Sequence, residues 1–256
     1  MAVHYETDGA VATVTIDRPE VANAVDRDTA QQLVDAFDTF DNDPALSVAI
    51  LTGAGDKFCA GGDLKAMLDG GGIVVTPDGD GPLGPSRMVL SKPVIAAVEG
   101  HAVAGGLELA LWCDLRVAAR NSTFGVYCRR WGVPLCDGGT VRLPRLIGQS
   151  HALDMILTGR GVGGEEAWRM GLVNRLCEAG ESLAVARALA QALAALPQTC
   201  LRSDRRSAYE QWDLDLTTAL RNETERGLDV IRSGETIGGI QGWRSGERKV
   251  EDFPNV

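Results

Sequence analysis

Twice in this chain a short apolar stretch runs into glycines and then into a helical pattern. Residues 47–52, SVAILT, precede Lys57-Phe-Cys-Ala-Gly-Gly-Asp-Leu-Lys65. Residues 93–98, PVIAAV, precede Gly100-His-Ala-Val-Ala-Gly-Gly-Leu-Glu-Leu-Ala110. Short, wholly apolar runs are the pattern of strands buried on both faces. Residues 107–112 read as a helix and 114–118 as another strand. Strand–helix–strand order, repeated, calls for parallel pairing through right-handed crossovers, which restricts the chain to the α/β class.

The remaining pattern extends that frame. Residues 10–17, AVATVTID, alternate like a strand, and Val3–Thr7 across Asp8–Gly9 supplies a hairpin partner. In 26–42, Leu33, Val34, Phe37 and Phe40 fall at helical spacing behind Asp26, a candidate N-cap. The Gly-, Pro- and Asp-rich stretch 69–86 reads as a loop. Helices are expected from 139, over 150–158, 164–170 and 182–195, with a last strand in 172–177. Long helical periodicity follows over 198–232, and the tail 233–256 is polar and Gly-containing. The parse is a core over 1–195 and a helical C-terminal region over 196–256 belonging to the same overall fold.

Several function classes fall away. The net charge of −10 disfavours a nucleic-acid partner. The longest apolar stretch, 93–113, carries Glu99, His101 and Glu108, which argues against a membrane span. The N-terminus does not read as a signal peptide. Six cysteines without a C-x-x-C pair read as reduced thiols, and the expected location is the cytoplasm. Gly79-Asp-Gly81-Pro-Leu-Gly84 satisfies G-x-G-x-x-G, but Pro82 and Pro85 stand where the helix of a dinucleotide site should open. No P-loop and no G-x-S-x-G elbow occurs. His4, His101 and His151 lack metal-ligand spacing, so no metal is expected.

A lone glycine turn needs no function beyond tightness. Two of them, each after a buried strand on one sheet, bring two sets of free backbone N–H groups together. Such donors can stabilise a developing oxyanion. Glu108 lies one helical turn after Gly105 inside an apolar run. A carboxylate so placed is either capped and structural or an acid/base of raised pKa.

The residues in question resemble the crotonase superfamily, the enoyl-CoA hydratase/isomerase group. The resemblance rests on Ile16-Asp-Arg-Pro19 with Asn23-Ala24, Phe58 through Leu64, Lys92 through Val98, Gly100 through Glu108, Cys113-Asp114, Phe124-Gly125, Gly138-Gly-Thr140, Arg142-Leu143 and Ala167 through Val173. It implies a spiral of ββα units with C-terminal helices that support a homotrimer or homohexamer. It also implies an acyl-CoA substrate, whose coenzyme A is part of the substrate rather than a separate cofactor.

Carried over residue by residue, the resemblance makes the Gly62 and Gly105 N–H groups the oxyanion hole and Glu108 the first catalytic glutamate. Ala60, Gly61, Asp63, Leu64 and Lys65 would line the thioester's path, with Ala22 and Ala24 beside the coenzyme A moiety. Relatives that hydrate carry a second glutamate in a motif like F-G-x-P-E. Here Phe124-Gly-Val-Tyr-Cys128 puts Cys128 in that place, as pocket lining. Asp137 becomes the candidate second proton handler, or else an N-cap for the helix from 139. The expected reaction is enoyl-CoA hydration. The alternatives are a double-bond shift, acyl-CoA hydrolysis, or a non-catalytic coenzyme A-binding role.

Overall fold

The hairpin β1 (Val3–Asp8) and β2 (Val11–Ile16) opens the chain, and α1 (Arg27–Asn42) follows. The Asp26 carboxylate caps α1 by accepting the Thr29 N–H at 2.9 Å. Next come β3 (Val48–Gly53), the short α2 (Leu64–Leu68), β4 (Val94–Val98), β5 (His101–Val103) and α3 (Gly105–Trp112). Then come β6 (Leu115–Ala119), β7 (Thr123–Gly125), α4 (Gly139–Ile147) and α5 (Gln149–Thr158). The chain continues through β8 (Gly161–Gly163), α6 (Gly164–Arg169), β9 (Arg175–Cys177) and α7 (Ser182–Ala194). It ends in α8 (Gln198–Glu210), α9 (Leu216–Arg232) and α10 (Glu235–Ser245). This computed structural model describes residues 1–247 and Lys249. The end of the region expected over 196–256, residues 248 and 250–256, lies outside the described residues.

Six strands form one sheet in the order β1-β2-β3-β4-β6-β9, antiparallel at β1/β2 and parallel thereafter. Of these, β3 and β4 read as near-continuous apolar runs because both of their faces are covered. Val11, Val48, Ile50, Ile95, Ala97 and Val117 pack with Ala186, Leu189 and Ala190 of α7. The alternate residues, among them Val14, Leu51, Ala96 and Val98, pack with α1 and α3. Phe37 of α1 meets Trp112 of α3 edge to face at 4.8 Å, a pairing worth about 1 kcal/mol beyond its area.

A second sheet, β5-β7-β8, was not expected from the sequence. Its strands are three residues each, too short to show a period, and form by pairing across distant segments. The glycine-rich stretch after β4 therefore contains a strand before α3 opens. Cys59 extends the pairing: its N–H donates to the His101 carbonyl at 2.9 Å, and its carbonyl accepts the Val103 N–H at 3.1 Å. This ties the two glycine turns together.

Within the Gly-containing tail, 235–245 forms the helix α10. Its glycines hid the helical period. The C-terminal helices are anchored to the core by Arg205 Nε and Tyr209 Oη, which both donate to Asp114 Oδ1, at 2.7 and 2.8 Å. Among the described residues no helix is long and apolar enough to cross a membrane.

Candidate active site

Leaving Cys59, the chain runs beside the segment that leads into α1. The Val25 N–H donates to the Gly61 carbonyl at 2.8 Å, and the Asp63 N–H donates to the Val25 carbonyl at 2.9 Å. Strand-like alternation then turns the Gly62 N–H to the opposite side, where Gly62 lines a cavity. Gly105 is the first residue of α3, so its N–H has no partner within the helix. Neither N–H is hydrogen-bonded among the described residues.

Glycine is needed beside both donors. Gly61 has φ +94°, and a Cβ there would stand 2.7 Å from the Gly105 nitrogen. A Cβ on Gly106 would come within 2.0 Å of the Cys59 carbonyl oxygen. Without side chains at these positions the two turns pack backbone against backbone. Ala104, just before α3, holds φ +53°, a costly conformation for a residue with a Cβ, at the point where the chain turns into the helix.

Glu108 lies one turn into α3 and is only 2% exposed. Its Oε1 accepts the N–H groups of Asp137 at 2.9 Å and Gly139 at 2.8 Å. Burial pushes its pKa to about 7; the nearby Asp137 carboxylate adds to the rise, and the two N–H donors oppose it. Oε2 has no hydrogen-bond partner among the described residues, and Glu108 lines the same cavity.

Asp137 is also buried and lines this cavity. It does not cap α4, whose N-cap is Gly138. Its Oδ1 instead accepts the Leu83 N–H at 2.9 Å and the Ser86 hydroxyl. Burial raises its pKa, against those donors and the positive charges of Arg87 and Arg142. Burial likewise raises the Cys128 and Cys136 thiols, with Glu108 adding to both.

The cavity measures about 490 Å³. Ala60, Gly62, Leu64, Met67, Ile73 and Val75 form one wall. Leu83, Val103, Ala104, Gly105 and Glu108 form the floor, and Tyr127, Cys128, Trp131, Val133, Pro134, Cys136 and Asp137 close the other side. An apolar chamber with a few convergent polar groups is the usual form of a small-molecule site.

The family model described as enoyl-CoA hydratase/isomerase matches residues 6–245. The chain belongs to the enoyl-CoA hydratase/isomerase family. It is 36% identical over 261 residues to an enoyl-CoA hydratase of Mycobacterium tuberculosis, covering 98% of this chain and 95% of that one. It is 43% identical over 198 residues to a carnitinyl-CoA dehydratase of Escherichia coli K12, covering 75% of this chain and 74% of that one. A solved enoyl-CoA hydratase structure from Mycobacterium tuberculosis H37Rv superposes with TM-score 0.91 at 39% identity, covering 95% of this chain and 96% of that one.

As a member of this family the chain gathers Ala60, Gly62, Leu64, Gly105, Glu108, Cys128 and Asp137 around one cavity. Other expected residues lie outside its lining. Gly61 sits behind the donors. The Ala22 carbonyl accepts the Ala60 N–H at 3.1 Å, and the Ala24 carbonyl accepts Arg18 Nη1 at 2.6 Å. Asp63 pairs with Arg18 at 3.0 Å and caps α2 through the Lys65 and Ala66 N–H groups. Lys65 is exposed on α2. Also on the cavity, and not singled out one by one by the sequence, are Met67, Ile73, Val75, Leu83, Val103, Ala104, Tyr127, Trp131, Val133, Pro134 and Cys136. The one available signal was the apolar trio Ile73-Val74-Val75 inside a polar loop.

Proposed function

We propose that this enzyme hydrates a 2-enoyl-CoA thioester, with Gly62 and Gly105 as the oxyanion hole and Glu108 as the acid/base. The observation that carries the reading is two unpaired N–H groups on the cavity that also holds a carboxyl titrating near neutrality. The thioester oxygen would accept both N–H groups. Negative charge grows there as water adds to the β-carbon, and one such donor is worth about 3–4 kcal/mol of barrier.

Ionised Glu108 takes a proton from the attacking water, whose oxygen bonds to the β-carbon. The electron pair of the carbon–carbon double bond moves through the α-carbon onto the thioester oxygen. Glu108 then returns its proton to the α-carbon and the carbonyl reforms. A pKa of about 7 suits both halves of this cycle. Coenzyme A enters and leaves with the substrate, so no separate cofactor takes part.

One observation favours a second reading. The resemblance puts Cys128 where hydrating relatives carry a second carboxylate, and burial holds its thiol protonated. A double-bond shift needs only one proton carrier, which Glu108 supplies.

Incubation with crotonyl-CoA, followed by its conjugated thioester absorbance and by free thiol, tests the proposal. Loss of absorbance with water incorporated at the β-carbon and no free thiol is expected. Free thiol would mean hydrolysis, and activity confined to 3-enoyl substrates would mean isomerisation. The exposed Leu216, Leu220, Ile231, Ile237, Ile240 and Trp243 on α9 and α10 support assembly into a trimer or hexamer, which light scattering would measure. The six free thiols support a reducing, cytoplasmic location.

A further inference from the structure

Asp137 is bonded to three parts of the site. Its main-chain N–H donates to Glu108 Oε1 at 2.9 Å. Its Oδ1 accepts from Leu83 N–H and the Ser86 hydroxyl, fifty-four and fifty-one residues away. Its carbonyl accepts Arg142 Nη1 at 2.8 Å, while Nη2 of the same guanidinium donates to the Ser86 carbonyl at 2.7 Å. Asp137 and Ser86 are thus joined side chain to side chain and again through Arg142.

The segment so held is closed on itself and packed against the site. Gly81 and Gly84 exchange main-chain hydrogen bonds at 3.0 and 2.8 Å, closing residues 81–84 into a tight loop. The Leu83 side chain lies directly on Gly105: a Cβ built there would be 2.3 Å from Leu83 Cδ1. Whatever moves this loop therefore moves the floor beside one oxyanion donor. Glu108, which must reach the same substrate, hangs from the main chain of the residue that holds the loop.

We propose that Asp137 is a positioning residue: its carboxylate fixes the Leu83–Ser86 loop against Gly105 while its N–H fixes Glu108, so that one residue sets the spacing between oxyanion donor and acid/base. The proposal rests on the reading of Glu108 as the acid/base. A proton-transfer role for Asp137 would run instead through Oδ2, which has no hydrogen-bond partner among the described residues.

The two roles separate on Asp137→Asn. Asparagine keeps an accepting Oδ1 for Leu83 and Ser86 but has no proton to exchange. Kinetics on crotonyl-CoA, with circular dichroism to confirm the fold, should show Asp137→Asn within roughly tenfold of wild type in kcat. Asp137→Ala should fall about a hundredfold, the scale of a displacement near 1 Å. Ser86→Ala, a milder break of the same latch, should fall roughly tenfold, as expected for one lost buried hydrogen bond.

The pH profile adds a readout that a merely structural role would not move. The titratable and charged groups facing Glu108 are Cys128, Cys136, Asp137 and Arg142. Asp137→Asn removes one negative neighbour, so the low-pH limb of kcat/KM should move to lower pH. If Asp137→Asn loses 10²–10⁴ in rate with its fold intact, as general acid–base removal does, the proposal is overturned. It is also overturned if Ser86→Ala, or a folded Asp137→Ala, keeps full activity. Glu108→Gln at wild-type rate would instead remove the functional reading beneath it.

Discussion

The N–H of Gly139, first residue of α4, donates to Oε1 of Glu108 at 2.8 Å, across thirty-one residues of sequence. A carboxylate on α3 thus occupies the N-terminus of α4, whose own N-cap, Gly138, has no side chain to offer. The positive end of the α4 dipole favours the ionised glutamate, and burial disfavours it by more. The balance leaves one oxygen held and a proton that can come and go near neutral pH.

That balance carries a stability cost whose sign can be stated. The Glu108 pKa rises from 4.5 to about 7 on folding. Below 4.5 the group is protonated folded or unfolded and costs nothing. Between 4.5 and 7 the unfolded chain ionises first, so stability falls as pH rises, and above 7 the loss is complete. The span corresponds to about 3 kcal/mol at most. Glu108→Gln still accepts both N–H groups and escapes the loss. In urea melts it should exceed wild type clearly at pH 8 and by much less at pH 5, while turnover drops about 10²–10⁴-fold. A stability gap that does not widen with pH would refute the assignment.

The glycines of the two turns should respond in three different ways. Gly61→Ala places a methyl 2.7 Å from the Gly105 nitrogen at φ +94°, so it should block that donor and cost about 10²–10³ in kcat. Gly62→Ala keeps its N–H and meets only the flexible tip of Ile73 at 3.2 Å, so kcat should stay within a few-fold. Gly106→Ala presses on the Cys59 backbone at 2.0 Å and should lower stability by about 1–3 kcal/mol or more. Kinetics and thermal melts on the three variants check this ordering, which fails if Gly62→Ala is as damaging as Gly61→Ala.

These glycines also mark how far the sequence could be read. β1 to β4 and α1 follow from alternation, apolar runs and the Asp26 cap, all local signals. Gly62, Gly105 and Glu108, which share one cavity, stand in the motifs that carry the family resemblance. The three-residue strands β5, β7 and β8 carry no period of their own. The Ser86–Asp137 bond joins residues fifty-one apart, and nothing local to either announces the other. Asp63 sits in the motif, and the motif alone implies a substrate-facing place for it. Its partner Arg18, forty-five residues away, is invisible from there.

Cys128 should prove a wall rather than a proton carrier. It is 7% exposed, and burial and the neighbouring Glu108 both hold the thiol protonated. Cys128→Ala should therefore change kcat on 2-enoyl-CoA by less than about tenfold, well short of the 10²–10⁴ of a lost acid or base. A hundredfold loss in a folded variant would make the thiol the second proton-handling group.

Asp63 offers the last test, because two roles predict different kinetics. Its Oδ1 caps α2 through Lys65 and Ala66 N–H groups, and its Oδ2 pairs with Arg18 at 3.0 Å. Arg18 keeps a second partner, Asp26, also at 3.0 Å. Removing Asp63 therefore costs the cap and half of a shared ion pair, about 1–2 kcal/mol, without stranding the guanidinium. Helix α2 carries Leu64 and Met67 into the cavity wall, so its loosening should be felt in binding. Asp63→Ala should raise KM several-fold with kcat within about twofold. Asp63→Asn, which can still cap, should restore most of the KM. If asparagine binds substrate as poorly as alanine, the carboxylate charge itself meets the ligand, and Asp63 belongs to the binding site after all.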